Sequence, residues 1–242
     1  MIVAERLDRV TLLRIDRHAS RNALNPALLA DLLAGLEDAV TAGSRCLVIT
    51  GNGSSFCSGA DLEVVRDEGF LNRLYTLLHR LAELPVPVIA AVNGPAIGGG
   101  TQLAIACDLR VGAPAARFAI PTARLGLSVD AWTVRRLAAL AGGGAARAIL
   151  IGADTLDVDR AHRLGLVDRL GDLDDALAWA QEIAALAPLT LQYNKLALNT
   201  VADLDPTDER VGKAMMACWS SADAAEGQRA RGERRPPEFL GR

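Results

Sequence analysis

The spacing of apolar positions changes repeatedly along this chain, and each change marks an element. Val10 to Ile15 is a short β-branched and leucine run bracketed by Arg9 and Asp16, which predicts a strand. Pro26 then opens a helix in which Leu28, Leu29, Leu32, Leu33 and Leu36 recur at helical spacing up to Val40. Cys46-Leu-Val-Ile-Thr is apolar at nearly every position and stops at Gly51-Asn-Gly. Such a run suits a strand covered on both faces. Ser54 to Asp61 reads as a small-residue loop, with Asp61 a candidate cap for the following helix, Leu71 to Leu84. Val86 to Val92 is another buried strand, Thr101 to Cys107 a buried helix, and Leu109-Arg-Val a short strand. After a loop from Ile120 to Val129, helical spacing resumes at Ala131.

Strand and helix alternate, which predicts an α/β class with crossover connections. From Leu173 onward the strand signal fades. Asp174 to Leu186, Leu189 to Leu204 and Thr207 to Ser220 have helical spacing, punctuated by Pro188 and Pro206. The tail from Arg234 through Pro236 and Pro237 predicts an extended arm. A boundary near Ala187 divides the chain into a core, 1–187, and a helical C-terminal segment, 188–242.

Two loops carry candidate chemistry. Ser55-Phe-Cys-Ser-Gly-Ala-Asp-Leu could be an ordinary strand-to-helix turn. Asn93-Gly-Pro-Ala-Ile-Gly-Gly-Gly-Thr-Gln places three glycines directly before an apolar helix. Bare backbone N–H groups at the positive end of a helix can bind phosphate or a developing oxyanion. The alternative is close helix packing. No Gly-Lys-Ser/Thr follows, so it is no Walker loop, and the spacing is not that of a dinucleotide fingerprint.

Together the two loops resemble the crotonase (enoyl-CoA hydratase/isomerase) superfamily. Phe56-x-x-Gly-Ala-Asp-Leu is followed by Ile89-Ala-Ala-Val-Asn-Gly-x-Ala-x-Gly-Gly-Gly. Arg21-Asn-Ala-Leu-Asn matches the segment that wraps the coenzyme A adenine, and Ala161-His-Arg-Leu-Gly-Leu-Val-Asp matches the late core. The resemblance implies a ClpP-like ββα-spiral core with a helical C-terminal trimerisation segment. It implies a homotrimer or a hexamer built as a dimer of trimers, and a fatty acyl-CoA or enoyl-CoA ligand. Coenzyme A is then part of the ligand, and no separate cofactor is implied. Its oxyanion hole maps to the backbone N–H groups of Ala60 and Gly99. Ligand contacts map to Arg21, Ala23, Leu24, Ser58, Ala60, Asp61, Leu62, Gly98, Gly99 and Trp132. Arg17 and Arg21 are candidates for the coenzyme A phosphates. Leu62, Val64, Val65, Leu74 and Leu78 are candidates for the acyl tunnel, or equally for a core stripe.

The same resemblance exposes a departure. A family hydratase places two glutamates around its water, and the matching positions are Gln102 and Thr122. Neither residue is an acid or base near neutral pH. Asp130 suits a helix cap before Ala131, and by the resemblance it also matches the catalytic aspartate of family isomerases and dehalogenases. The dehalogenase base would fall near Tyr75, and His79 one turn later reads as a polar helix-face residue. Trp132 replaces a usual glycine and would reshape the acyl pocket or fill the core. The tract Gly126–Leu137 and the ending Arg235-Pro-Pro-Glu-Phe resemble mycobacterial hydratase-like proteins that lack both glutamates and carry long-chain acyl-CoA towards mycolic acid synthesis. The expectation is a fatty acyl-CoA binder with weak or absent hydration. An Asp130-dependent isomerase and a hydratase with substituted acid/base groups stand as alternatives, which leaves open whether the chain is an enzyme.

Composition narrows the field further. The 242 residues are half apolar and carry a net charge of −3, with a pI near 5.7. That argues against a nucleic-acid surface. Cys46, Cys57, Cys107 and Cys218 have no metal-site spacing and read as reduced buried thiols of a cytoplasmic protein. The charged N-terminus has no signal-peptide core. The apolar stretch Leu84–Ala106 is broken by Pro85, Pro87, Asn93 and Pro95, so no membrane span is expected.

Overall fold

The computed structural model describes residues 1–61, 64, 67–186, 188–202, 220 and 222–235. Its main sheet has six strands in the order β1-β2-β3-β4-β6-β9. These are β1 (Ile2–Leu7), β2 (Val10–Ile15), β3 (Cys46–Gly51), β4 (Val88–Val92), β6 (Leu109–Gly112) and β9 (Arg169–Leu170). β1 pairs antiparallel with β2; the remaining pairings are parallel. A smaller sheet joins β5 (Pro95–Ile97), β7 (Arg117–Ala119) and β8 (Leu156–Asp157).

The helices are α1 (Pro26–Thr41), α2 (Glu68–Glu83), α3 (Gly99–Ala106), α4 (Ala131–Leu150), α5 (Val158–Arg163), α6 (Leu173–Ala184), α7 (Pro188–Ala202) and α8 (Ala222–Gly232). The apolar run in β3 is explained by layers on both sides. Leu47 and Ile49 face a core shared with α1, α2 and α3, whereas Cys46 and Val48 face one shared with α6. Alternate side chains of a strand point to opposite faces, so both faces must be apolar. Three start signals fix helix ends. Asn25 accepts from the Leu28 N–H at 2.8 Å, with Pro26 behind it. Asp67 accepts from the Phe70 N–H at 2.8 Å. Asp172 and Asp175 form a reciprocal capping box on α6.

Several expectations need correction. β1 is a strand although its residues are mostly exposed and lack alternation; pairing with β2, not burial, holds it. α2 starts at Glu68, three residues earlier than its apolar spacing indicates, because Asp67 and not Asp61 caps it. β5, β7, β8 and β9 are too short to leave a periodic signal. α4 is broken at Gly142, whose φ of 80° no helix contains. The expected helix Thr207–Ser220 and the arm beyond Arg235 lie outside the described residues, except Ser220 itself.

Candidate active site

Both glycine loops meet at one pocket. In the first, Gly59 has φ +99°, and a Cβ there would sit 2.6 Å from the Ile97 carbonyl oxygen. Glycine is therefore required for the backbone to pass. Leu24 pairs in parallel with Ala60. It donates to the Gly59 carbonyl and accepts from the Asp61 N–H, both at 2.8 Å. That pattern uses the neighbours of Ala60 and leaves the Ala60 N–H itself outside the bridge.

In the second loop the three glycines serve three needs. Gly98 caps α3 with φ +53°. Gly99 lies where a Cβ would meet Leu24 Cδ1 at 3.1 Å and the Ala60 nitrogen at 3.4 Å. Gly100 packs on the Cys57 backbone, where a Cβ would sit 2.1 Å from its carbonyl oxygen. The Gly99 N–H belongs to the first turn of α3, which has no partner inside the helix. Two backbone donors, Ala60 and Gly99, thus stand side by side at the positive end of a helix.

The pocket they enter has a volume of about 90 Å³, well above the 10–15 Å³ that one water occupies. Its floor is Ser58, Gly59, Ala60, Gly98 and Gly99. Phe70, Leu71, Leu74 and Tyr75 of α2 form an apolar wall. The opposite wall carries Gln102, Thr122, Leu125, Leu127 and Val129. Arg231 of α8 completes the rim, held there because Gly227 packs against the Leu125 backbone. Among the described residues around the pocket there is no carboxylate.

Gln102 is 4% exposed and donates from Nε2 to the Thr133 hydroxyl at 2.8 Å. Thr133, fully buried, donates in turn to the Asp130 carboxylate. Asp130 occupies the N-cap position of α4 without a side-chain capping hydrogen bond. Burial pushes its carboxyl above the usual range, against the hydrogen bonding from Thr133 and the nearby His79. Burial likewise pushes the Tyr75 phenol up, and the neighbouring Asp130 charge adds to it.

The remaining expected site residues scatter. Asp61 faces Arg17, 3.8 Å away, and Arg17 also donates to the Ala23 carbonyl. Arg17 is thus tied within the chain, while Arg21 is exposed in a left-handed conformation with φ 52°. Leu24 is buried beneath Gly99, and Leu78 belongs to the core and does not line the pocket. Val64 packs half-buried against that core, and Leu62 and Val65 lie outside the described residues. Trp132 is not in the pocket wall; its ring stacks 5.2 Å from His79 at a 44° tilt. The side chain packs half-buried against the main core. Asp130 also stands outside the lining residues; it is linked to the pocket through Thr133 and Gln102 and neighbours the pocket-lining Tyr75. Cys57 and Cys107 are fully buried thiols pushed up to about 12, which rules both out as nucleophiles. Arg231 and Thr133 were not foreseen: Arg231 stands in no motif, and Thr133, although inside the tract Gly126–Leu137, gains its role only from the folded contact with Gln102.

An Enoyl-CoA hydratase/isomerase family model matches residues 5–242. The chain belongs to this family. Among its relatives, the probable enoyl-CoA hydratase echA6 of Mycobacterium tuberculosis is 42% identical over the full length of both chains. A crotonyl-CoA hydratase of Syntrophomonas wolfei is 34% identical, covering 99% of this chain and 97% of the relative. The crystal structure of a methylmalonyl-CoA decarboxylase superposes with a TM-score of 0.92 at 23% identity, covering 100% and 98%. That likeness shows that the two chains share a fold. Among the described residues no helix is long and apolar enough to cross a membrane, and no His/Cys/Asp/Glu cluster could hold a metal ion.

Proposed function

We propose that this chain binds fatty acyl-CoA thioesters and activates their carbonyl, but delivers water to them slowly or not at all. The observation that carries this reading is the asymmetry of the pocket. The backbone N–H groups of Ala60 and Gly99 stand side by side at the pocket, while Gln102 and Thr122, which by resemblance match the family's glutamates, give it neither acid nor base. A backbone donor acting on a developing enolate contributes about 3–4 kcal/mol. Each missing acid or base removes about 10²–10⁴-fold in rate. The donors retain their use in binding, and the proton transfers lose their carriers. Coenzyme A enters as part of the ligand, with exposed Arg21 near its adenine segment.

The relatives named as hydratases support the acyl-CoA class, since their names include crotonyl-CoA and 2,3-dehydroadipyl-CoA hydratases. Assembly as a trimer or hexamer and residence in the cytoplasm are part of the proposal. The test is a hydration assay with crotonyl-CoA and a long-chain 2-enoyl-CoA, paired with calorimetric acyl-CoA binding on the same preparation. Binding without turnover supports the reading. Turnover at ordinary enzymatic rates overturns it.

A further inference from the structure

Arg231 is the one charged side chain among the described residues that line the pocket. Its place is fixed by the helix that carries it. Ala224, Gly227 and Ala230 recur at three-residue spacing along α8, and all are buried. Residues at that spacing share a helix face. Their small size lets α8 lie directly on the turn Pro121–Leu125, where a Cβ at Gly227 would sit 2.2 Å from the Leu125 carbonyl oxygen. That turn supplies Thr122 and Leu125 to the pocket wall, so Arg231 is held beside them. Its charge is not balanced within the described chain. Buried Glu226 pairs with Arg229 and Arg235, and Arg235 also takes Glu233. No ion pair or side-chain hydrogen bond joins Arg231 to a described residue. A guanidinium is a planar fork of donors with a permanent positive charge, and at the rim of an otherwise neutral pocket it attracts an anion.

We propose that Arg231 is a specificity residue that binds a carboxylate at the far end of the acyl group, so that the pocket favours dicarboxylyl thioesters over plain fatty acyl thioesters of the same length. The inference rests on the acyl-CoA reading above and names the acyl group within it. By resemblance the coenzyme A adenine lies at Arg21–Leu24, and that segment abuts the floor of the pocket, where the Ser58 N–H donates to the Arg21 carbonyl at 3.0 Å. Arg231 stands with the opposite wall, which leaves it the acyl end of the ligand and not the phosphates. The apolar wall of Phe70, Leu71 and Leu74 suits the methylenes between the two ends. The pocket is small, about 90 Å³, so a short chain already brings its far end to the rim. There both carboxylate oxygens can meet the guanidinium fork.

The experiment measures calorimetric binding of glutaryl-CoA and adipoyl-CoA to the full chain, each beside its monomethyl ester, with hexanoyl-CoA as the plain fatty acyl ligand. The ester removes the terminal charge and keeps the chain, so the acid-to-ester affinity ratio cancels what the coenzyme A portion contributes. For at least one chain length the wild type should favour the acid by about five- to tenfold, the worth of one charge-assisted pair at a half-open site. Arg231→Gln should bring that ratio to about one, and Arg231→Glu should invert it. Arg229→Gln removes the same charge from α8 outside the pocket and should leave the ratio at its wild-type value. A wild-type ratio near one at both chain lengths would overturn the inference. So would a preference that Arg231→Gln does not move. Equal weakening of acid, ester and hexanoyl ligands by Arg231→Gln would place the arginine on a coenzyme A phosphate and overturn it too. If hexanoyl-CoA binds and the ratios stay flat, only this inference fails; if no thioester binds, the acyl-CoA reading falls and takes this one with it.

Discussion

The two walls of the pocket carry different kinds of constraint. The glycine wall is backbone chemistry: Gly59, Gly98, Gly99 and Gly100 each meet a steric or dihedral demand that any other residue would violate or strain. The polar wall is side-chain chemistry, where Gln102 and Thr122 contribute an amide and a hydroxyl and no described residue contributes a carboxylate. On the proposed reading, binding and proton transfer are separable on this scaffold. Donors made of backbone persist as long as the turn persists, whereas an acid can be replaced one side chain at a time.

The harshest way to break the comparison is Gly100→Ala. Its Cβ would fall 2.1 Å from the Cys57 carbonyl oxygen, with backbone on the other side. The expected loss exceeds about 3 kcal/mol, read as a fall in Tm of roughly 6–12 °C. A wild-type melting curve would show that the glycine wall is softer than its geometry implies. Next is the double change Gln102→Glu with Thr122→Glu. If only the acids are missing, crotonyl-CoA hydration should rise by at least about 100-fold. No gain in the steady-state rate would mean that the wall has diverged in shape as well as chemistry. Gly99→Ala is milder, since Leu24 Cδ1 is a movable side-chain end 3.1 Å away. Acyl-CoA affinity should weaken about tenfold as the Ala60 and Gly99 donors are pushed apart, with the far-ultraviolet spectrum unchanged.

The smallest effect concerns Asp130. Its folded carboxyl is raised above the unfolded value chiefly by burial. Folding therefore favours the protonated form, and that contribution is fully present below the unfolded value of about 3.8. It is lost as pH climbs through the folded value, so the ionised group costs stability at neutral pH. Asp130→Asn should raise Tm slightly at pH 7 relative to its effect at pH 3.5. An equal shift at both values would show that the carboxylate is compensated by Thr133 and His79.

Much of this was legible from residue order. The layers on both faces of β3 follow from an unbroken apolar run, and the two donor loops follow from runs of small residues that few structures other than tight backbone approach require. What escaped is instructive. β1 carries no alternation because its strand hydrogen bonds, not its side chains, secure it. Asp61 is the cap that the sequence suggests for α2, and only the bond from the Phe70 N–H identifies Asp67 in that role. Trp132 and Asp130 sit two residues apart in a motif tract. Yet α4 directs one towards His79 and couples the other to Thr133.

The sequence by itself determined the α/β alternation, the small-residue loops that hold Ala60 and Gly99, and the lack of an acidic side chain at Gln102 and Thr122. These are local properties, set by residue size, spacing and side-chain chemistry along a few neighbouring positions. Only the tertiary structure decided which wall each residue joins. Gln102 and Thr133 are 31 positions apart, and Arg231 is more than a hundred beyond Leu125's neighbours in the same pocket. Side-chain direction depends on how helices pack across a core, and that packing is a property of the whole chain rather than of any motif within it.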